Sequence, residues 1–156
     1  MRFSLVDRIV ELNPGQSITA QKTLKGDENY LQDHFPNFAC MPGVLMLEAI
    51  YQAGCWLLRE TDGFSRPIVM MKEARNVKYG NFVGPGQTLE VTHQITKESA
   101  CNLTQIKGPG TVNGKPAVSG ILLLEQFRLE KKLAAAAATD QVARKYYMAE
   151  FKRIKS

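Results

Sequence analysis

The chain has 156 residues, 44% hydrophobic and 22% charged, the size and balance of one ordinary globular domain with its own core. No apolar run reaches the roughly 18–20 residues of a membrane span, and Met1-Arg2-Phe3-Ser4-Leu5-Val6-Asp7-Arg8 has no apolar stretch of secretory-signal length. Three cysteines, Cys40, Cys55 and Cys101, form no CxxC pair and no even disulfide set, which points to a reducing cytoplasm. The net charge of +5 lies in the tail: basic and acidic residues balance up to Glu130, whereas residues 131–156 set Lys131, Lys132, Arg144, Lys145, Lys152, Arg153 and Lys155 against Asp140 and Glu150.

In chain order, residues 6–12 suit a strand or short helix, and Asn13-Pro14-Gly15 is a turn. Residues 17–24 alternate loosely as a strand. Residues 26–33 are polar and read as a loop running into His34-Phe35-Pro36, with irregular chain up to Pro42-Gly43. Residues 44–58 are rich in Leu, Met and Ala and long enough for four helical turns. Pro42 suits the first turn, and Arg59-Glu60-Thr61-Asp62-Gly63 supplies the stop. This segment is apolar nearly all round, so burial on most sides is expected.

The pattern then turns to β. Residues 67–71 and 76–83 read as two short strands, and Gly84-Pro85-Gly86 is a turn that lacks the Lys and Ser/Thr of a phosphate loop. Residues 88–96 alternate, with Leu89, Val91, His93 and Ile95 on one face. Residues 101–107 form a strand before Gly108-Pro109-Gly110, Asn113-Gly114 is a hairpin turn, and residues 115–129 form a long final strand. One buried helix with several antiparallel strands implies an α+β domain, the helix wrapped by a curved sheet. Residues 1–129 make that domain. Residues 130–156 are an Ala-rich basic helical extension whose Val142, Tyr146, Ala149 and Ile154 offer a weak apolar face.

Glu48 carries the most chemical information. It is the one charged side chain between Gly43 and Leu58, inside a helix expected to be buried. A buried carboxylate is costly unless paired, and such groups concentrate at functional sites. Gln52, four residues on, shares its face and can orient it. A structural ion pair with a strand Arg or Lys is the competing explanation. His34 precedes the helix and is stiffened by Phe35-Pro36; histidine both accepts and donates protons near neutral pH. At Pro42-Gly43-Val44 the helix N-terminus offers free amides and a positive dipole end, and Gly43 admits a close carbonyl. One short stretch thus supplies a base, an acid and an oxyanion site. His93 reads as a packed core residue and Cys40 as a small apolar loop residue. Asn102-Leu103-Thr104 spells a glycosylation sequon without any sign of secretion. No His, Cys or acidic cluster has metal-ligand spacing.

His34-Phe35-Pro36, Met41-Pro42-Gly43-Val44-Leu45, Glu48-Ala49 and Gln52, with 14 residues from His34 to Glu48, resemble the signature of the FabZ-type β-hydroxyacyl-acyl-carrier-protein dehydratases. Leu5-Val6-Asp7-Arg8, Pro14-Gly15 and Val83-Gly84-Pro85-Gly86-Gln87 fit the same family in order, so the resemblance spans roughly residues 3–129. Asn37-Phe38-Ala39-Cys40 depart from it, where the family carries Gly and Pro.

The resemblance implies a hot-dog fold, with the active site at a homodimer interface and a trimer of dimers left open as a higher assembly. It implies dehydration of (3R)-3-hydroxyacyl thioesters to trans-2-enoyl thioesters in fatty acid biosynthesis, in the cytoplasm. His34 and Glu48 would be catalytic, Gly43 and Val44 would bind the thioester oxygen, and Gln52 would support Glu48. Phe38, Leu45, Ile50 and Tyr51 are candidates for the acyl tunnel wall. The substrate would ride on acyl carrier protein or coenzyme A, with no metal, no cofactor, no nucleic acid and no membrane span. Two alternatives stay open: a hot-dog acyl thioesterase, and an idle subunit that binds acyl chains or carrier protein.

Overall fold

The computed structural model describes residues 3–35, 37–99 and 102–155, without the side chains at 32–34, 99 and 134. The His34 side chain, Pro36 and Cys101, all singled out above, lie outside the described residues. The elements are β1 (Arg8–Asn13), β2 (Ser17–Thr23), α1 (Asn29–His34), α2 (Gly43–Thr61), β3 (Ile68–Tyr79), β4 (Thr88–Ser99), β5 (Leu103–Val112), β6 (Lys115–Phe127) and α3 (Ala137–Ile154), with short 3-10 turns at Leu129–Lys131 and Ala134–Ala136. The strands form one antiparallel sheet in the order β1-β2-β4-β5-β6-β3. It closes around α2, whose Ile50 and Leu57 are fully buried with Ile18, Leu89, Ile106, Leu122 and Leu124 from the strands. Burying each such side chain contributes about 1.5–3 kcal/mol. The expected α+β layout and the core placement of Leu89, Val91 and His93 are both present. Asn113 and Gly114 both take positive φ (51° and 74°), as a two-residue hairpin turn with this twist requires.

Several expectations are corrected. The polar stretch before His34 is not all loop: residues 29–34 form α1. Leu31, 2% exposed, anchors it, and the Glu28 carboxylate accepts from the backbone N–H groups of Lys25 and Gly26 at 3.0 and 2.8 Å. The two short strands at 67–71 and 76–83 are one edge strand, β3, irregular after Met71 and after Arg75. Its charged middle faces solvent, so it shows no burial period. Likewise β5 runs straight through Gly108-Pro109-Gly110, paired on both sides. A side chain at Gly108 would collide with the Thr92 carbonyl, so glycine here serves close backbone packing and not a turn.

Burial of α2 is also uneven. Residues 53–59 are buried without a break. The first turns are not: Val44 is 69% exposed, and Leu45, Leu47 and Glu48 are half-buried. The helix faces the sheet through Met46, Ala49 and Ile50 in its first half, and is buried on all sides only in its C-terminal half.

α3 packs on that buried half through a different face from the expected one. Ile154 is buried, but Val142, Tyr146 and Ala149 are exposed. The contacts come from Tyr147 and Phe151: Trp56 stacks against both at centroid distances of 5.9 and 6.0 Å, and Phe64 meets Phe151 at 5.4 Å. The docked face is rotated by about one residue, because two aromatic rings bury more area than valine and alanine. Asp140 fixes the entry to α3 by accepting from the Leu129 and Glu130 N–H groups at 2.8 and 2.9 Å. No described helix is long and apolar enough to cross a membrane.

Candidate active site

Pro42 caps α2 with an extended ψ of 139°, and its carbonyl accepts from Leu45 N (2.9 Å) and Met46 N (3.1 Å). No side chain caps this end, so the Gly43 and Val44 amides are the donors that a helix start leaves for an outside acceptor. The approach is tied down on one side by Met41 N, which donates to the Val83 carbonyl at 2.8 Å. On the other side Tyr79, the last residue of β3, lays its ring against Gly43: a Cβ there would come within 3.1 Å of the ring. Glycine thus lets the aromatic ring and the amide share one spot.

Glu48 lies on the next turn and is held by Gln52, whose Nε2 donates to Glu48 Oε1 at 2.9 Å. Gln52 is itself fixed: its Oε1 accepts from Leu5 N at 2.8 Å and its Nε2 also donates to the Phe3 carbonyl at 3.2 Å. This pattern sets which end of the amide faces Glu48. With Oε1 occupied as an acceptor, a proton on Glu48 belongs on Oε2. The ion pair with a strand Arg or Lys, the competing explanation for Glu48, does not occur among the described residues.

Both groups border a cavity of about 250 Å³ that continues along the same α2 stripe past Tyr51 and Cys55 to Arg59. Tyr51 donates its hydroxyl to the Val69 carbonyl at 2.7 Å, and burial pushes its ionisation well above the ordinary tyrosine value. Burial also pushes the Cys55 thiol to about 11 and raises Cys40. Neither cysteine is a ready thiolate nucleophile. Among the described residues no group of three His, Cys, Asp or Glu side chains gathers as a metal site would.

The structure therefore brings Glu48, Gln52 and Tyr51 together on one cavity, while Gly43 and Val44 start the same helix one turn earlier and are not part of that cavity's lining. The remaining tunnel candidates scatter. Ile50 is fully buried in the core against Gly110 and Gly120. Leu45 is half-buried, and Phe38 is 53% exposed, edge-on to Phe82 at 5.2 Å. The backbone of His34 ends α1, while its side chain is outside the described residues. Sequence reasoning missed Tyr79, Arg59 and the α3 residues Tyr147 and Glu150. Arg59 had a signal: it falls on the Glu48-Gln52-Cys55 stripe at helical spacing.

A family model described as a FabA-like domain matches residues 1–121. The chain belongs to the FabA-like family. Curated relatives named 3-hydroxyacyl-[acyl-carrier-protein] dehydratase FabZ, from Staphylococcus aureus strains JH9 and Newman, are 36% identical over 121 residues, 77% of this chain and 77% of theirs. Solved structures share the hot-dog fold. The dehydratase heterocomplex ApeI:P of Xenorhabdus doucetiae matches with TM-score 0.68 at 16% identity, covering 86% of this chain and 90% of that one. The phenylacetic acid degradation protein PaaI of Thermus thermophilus matches with TM-score 0.58 at 16% identity, covering 80% and 94%. α3 lies beyond the matched residues.

Proposed function

We propose that this protein dehydrates (3R)-3-hydroxyacyl thioesters, carried on acyl carrier protein, to trans-2-enoyl thioesters. The observation that carries the reading is Glu48, oriented by Gln52 one turn beyond the uncapped Gly43-Val44 amides, in a FabA-like chain with FabZ relatives. His34 takes the C2 proton. The Gly43 amide, at the positive end of the helix, receives the negative charge that develops on the thioester oxygen. Glu48 gives its Oε2 proton to the C3 hydroxyl as the C3–O bond breaks. The C2–H electron pair becomes the C2=C3 double bond, and water leaves.

The active unit is a homodimer, with His34 from one subunit and Glu48 from the other. β3 is a 12-residue edge strand, a ready template for pairing. Beside it Val44, Tyr79, Phe82 and Phe38 are 69%, 50%, 63% and 53% exposed, the kind of apolar surface that marks an interface. A second copy covering this region would bury that apolar surface. Cytoplasmic fatty acid synthesis is the setting that this reading gives.

The competing reading is thioester hydrolysis, with Glu48 activating water; the half-exposed Glu48 favours it. One assay separates them. A trans-2-enoyl pantetheine thioester is supplied to wild type and His34→Ala, and both enoyl absorbance and free thiol are followed. Loss of absorbance without thiol release, abolished in His34→Ala, is expected. Thiol release by wild type would replace the dehydratase with a thioesterase, and binding without either signal would leave an idle subunit.

A further inference from the structure

The cavity at Glu48 has an outer wall that the family domain does not supply. Tyr146, Tyr147 and Glu150 of α3 face it from beyond residue 121, and Arg59 closes its far end. Arg59 stands eleven residues after Glu48, about 16 Å along the helix axis, and its side chain leans back toward the helix N-terminus. It is only 6% exposed. Its Nε donates to the Pro67 carbonyl at 2.9 Å, and its guanidinium carbon sits 3.5 Å from the Tyr147 ring centroid. Among the described residues nothing accepts a hydrogen bond from Nη1 or Nη2, and no carboxylate pairs with the group.

The Nη donors are not among the fully buried unpartnered atoms of the described residues and so face the water of the cavity; stripping that water without supplying an acceptor is costly. A plain alkyl tail entering this cavity would leave them unmet and strip any water that served them. An acyl group with an oxygen at its far end would meet them. A neutral oxygen fits better than a carboxylate, because Glu48 and Glu150 line the same cavity. Glu150 is itself engaged by Arg153, whose Nε donates to it at 3.1 Å.

We propose that this cavity takes the distal part of the acyl group, and that Arg59 donates to a hydroxyl or carbonyl oxygen there. The enzyme then favours short oxygen-bearing acyl chains over plain alkyl chains of equal length, and α3 is the specificity wall. This rests on the dehydratase reading. The cavity volume of about 250 Å³ is below the usual small-molecule pocket range of roughly 300–1,000 Å³, so the probes are short chains.

The test measures hydration of three pantetheine thioesters: crotonyl, trans-2-octenoyl and 8-hydroxy-trans-2-octenoyl. Wild type should hydrate crotonyl thioester and prefer the hydroxylated eight-carbon chain in kcat/KM by about tenfold or more, the range of a hydrogen bond to a charged group. Arg59→Met should bring that ratio to near one. Arg59→Lys keeps a cation beside Tyr147 but loses the planar fork, so it should lower the ratio partway. Trp56, the one tryptophan of the chain, stacks on Tyr147 and Phe151, so its emission reports whether α3 stays docked in each variant. Hydration of crotonyl thioester with equal rates on the two eight-carbon chains would overturn the subsite and leave the dehydratase standing. No hydration of any thioester would overturn both.

Discussion

Gln52 reaches back one helical turn and donates to Glu48 Oε1 at 2.9 Å, while its own carbonyl oxygen is held by Leu5 N at 2.8 Å. The N-terminal segment, the supporting amide and the candidate acid therefore form one chain of contacts. Gln52→Met keeps the side-chain length and removes the donor. A net hydrogen bond of about 1 kcal/mol corresponds to a loss of about fivefold to tenfold in kcat, with KM little changed. Steady-state kinetics on a crotonyl thioester check this. An unchanged kcat, or a loss confined to KM, would mean that Gln52 serves only to hold residues 3–5.

Shared-site geometry has its own test. His34→Ala and Glu48→Gln should each be inactive alone. Mixed and allowed to exchange subunits, they should recover part of the wild-type rate, since one of the two sites in a mixed dimer is intact. If mixed dimers form and no activity returns, both side chains belong to the same subunit's site.

His93 is fully buried in β4, and neither ring nitrogen has a hydrogen-bond partner among the described residues. Burial pushes its pKa from 6.5 to about 4, opposed only weakly by the Lys107 backbone, which makes no well-formed bond to the ring. The neutral ring is favoured in the folded state, so the unfolded state binds more protons between these two values. Stability from this source is complete above about pH 6.5 and declines as pH falls toward 4, by about 3 kcal/mol in all. Urea unfolding at about pH 7.5 and about pH 4.5 should show a smaller acid loss in His93→Leu than in wild type. An equal acid loss in both would assign the effect to carboxylates elsewhere.

The tail is both packing and charge, and the two are separable. Phe151 is 6% exposed between Trp56 and Phe64, so Phe151→Ala should cost about 3 kcal/mol and red-shift Trp56 emission. Removing residues 130–156 should therefore harm activity on every substrate. Lys145 and Lys152 are exposed, and reversing both to Glu leaves the packed face intact. That double variant should lose efficiency with the acidic acyl carrier protein at low salt. The deficit should shrink as salt shortens the screening length to below about 10 Å, and a pantetheine thioester should be unaffected. Equal behaviour of wild type and variant with the carrier protein would remove the tail from docking.

The sequence was most readable where one periodicity ruled. Glu48 and Gln52 at i and i+4 declare a shared helix face, Asn113-Gly114 declares a hairpin, and His93 alternates with Leu89 and Val91 into the core. It was least readable where tertiary contacts override local pattern. β3 hides its strand because both faces of its charged middle are exposed. β5 hides in Gly108-Pro109-Gly110 because its backbone must pack against Thr92. The α3 face follows Tyr147 and Phe151, which have partners only once Trp56 and Phe64 are in place. Arg59 reads as a helix stop until α3 makes it the end of a cavity.

Glu48 as the proton donor to the departing hydroxyl is the centre of the account. Its most direct test is the hydration rate of crotonyl pantetheine by Glu48→Gln, with Trp56 emission and the unfolding midpoint recorded on the same sample. The expected result is a loss of two or more orders of magnitude in kcat, the contribution of a general acid or base, in a protein that folds as wild type. Activity near that of wild type in a folded Glu48→Gln would contradict it.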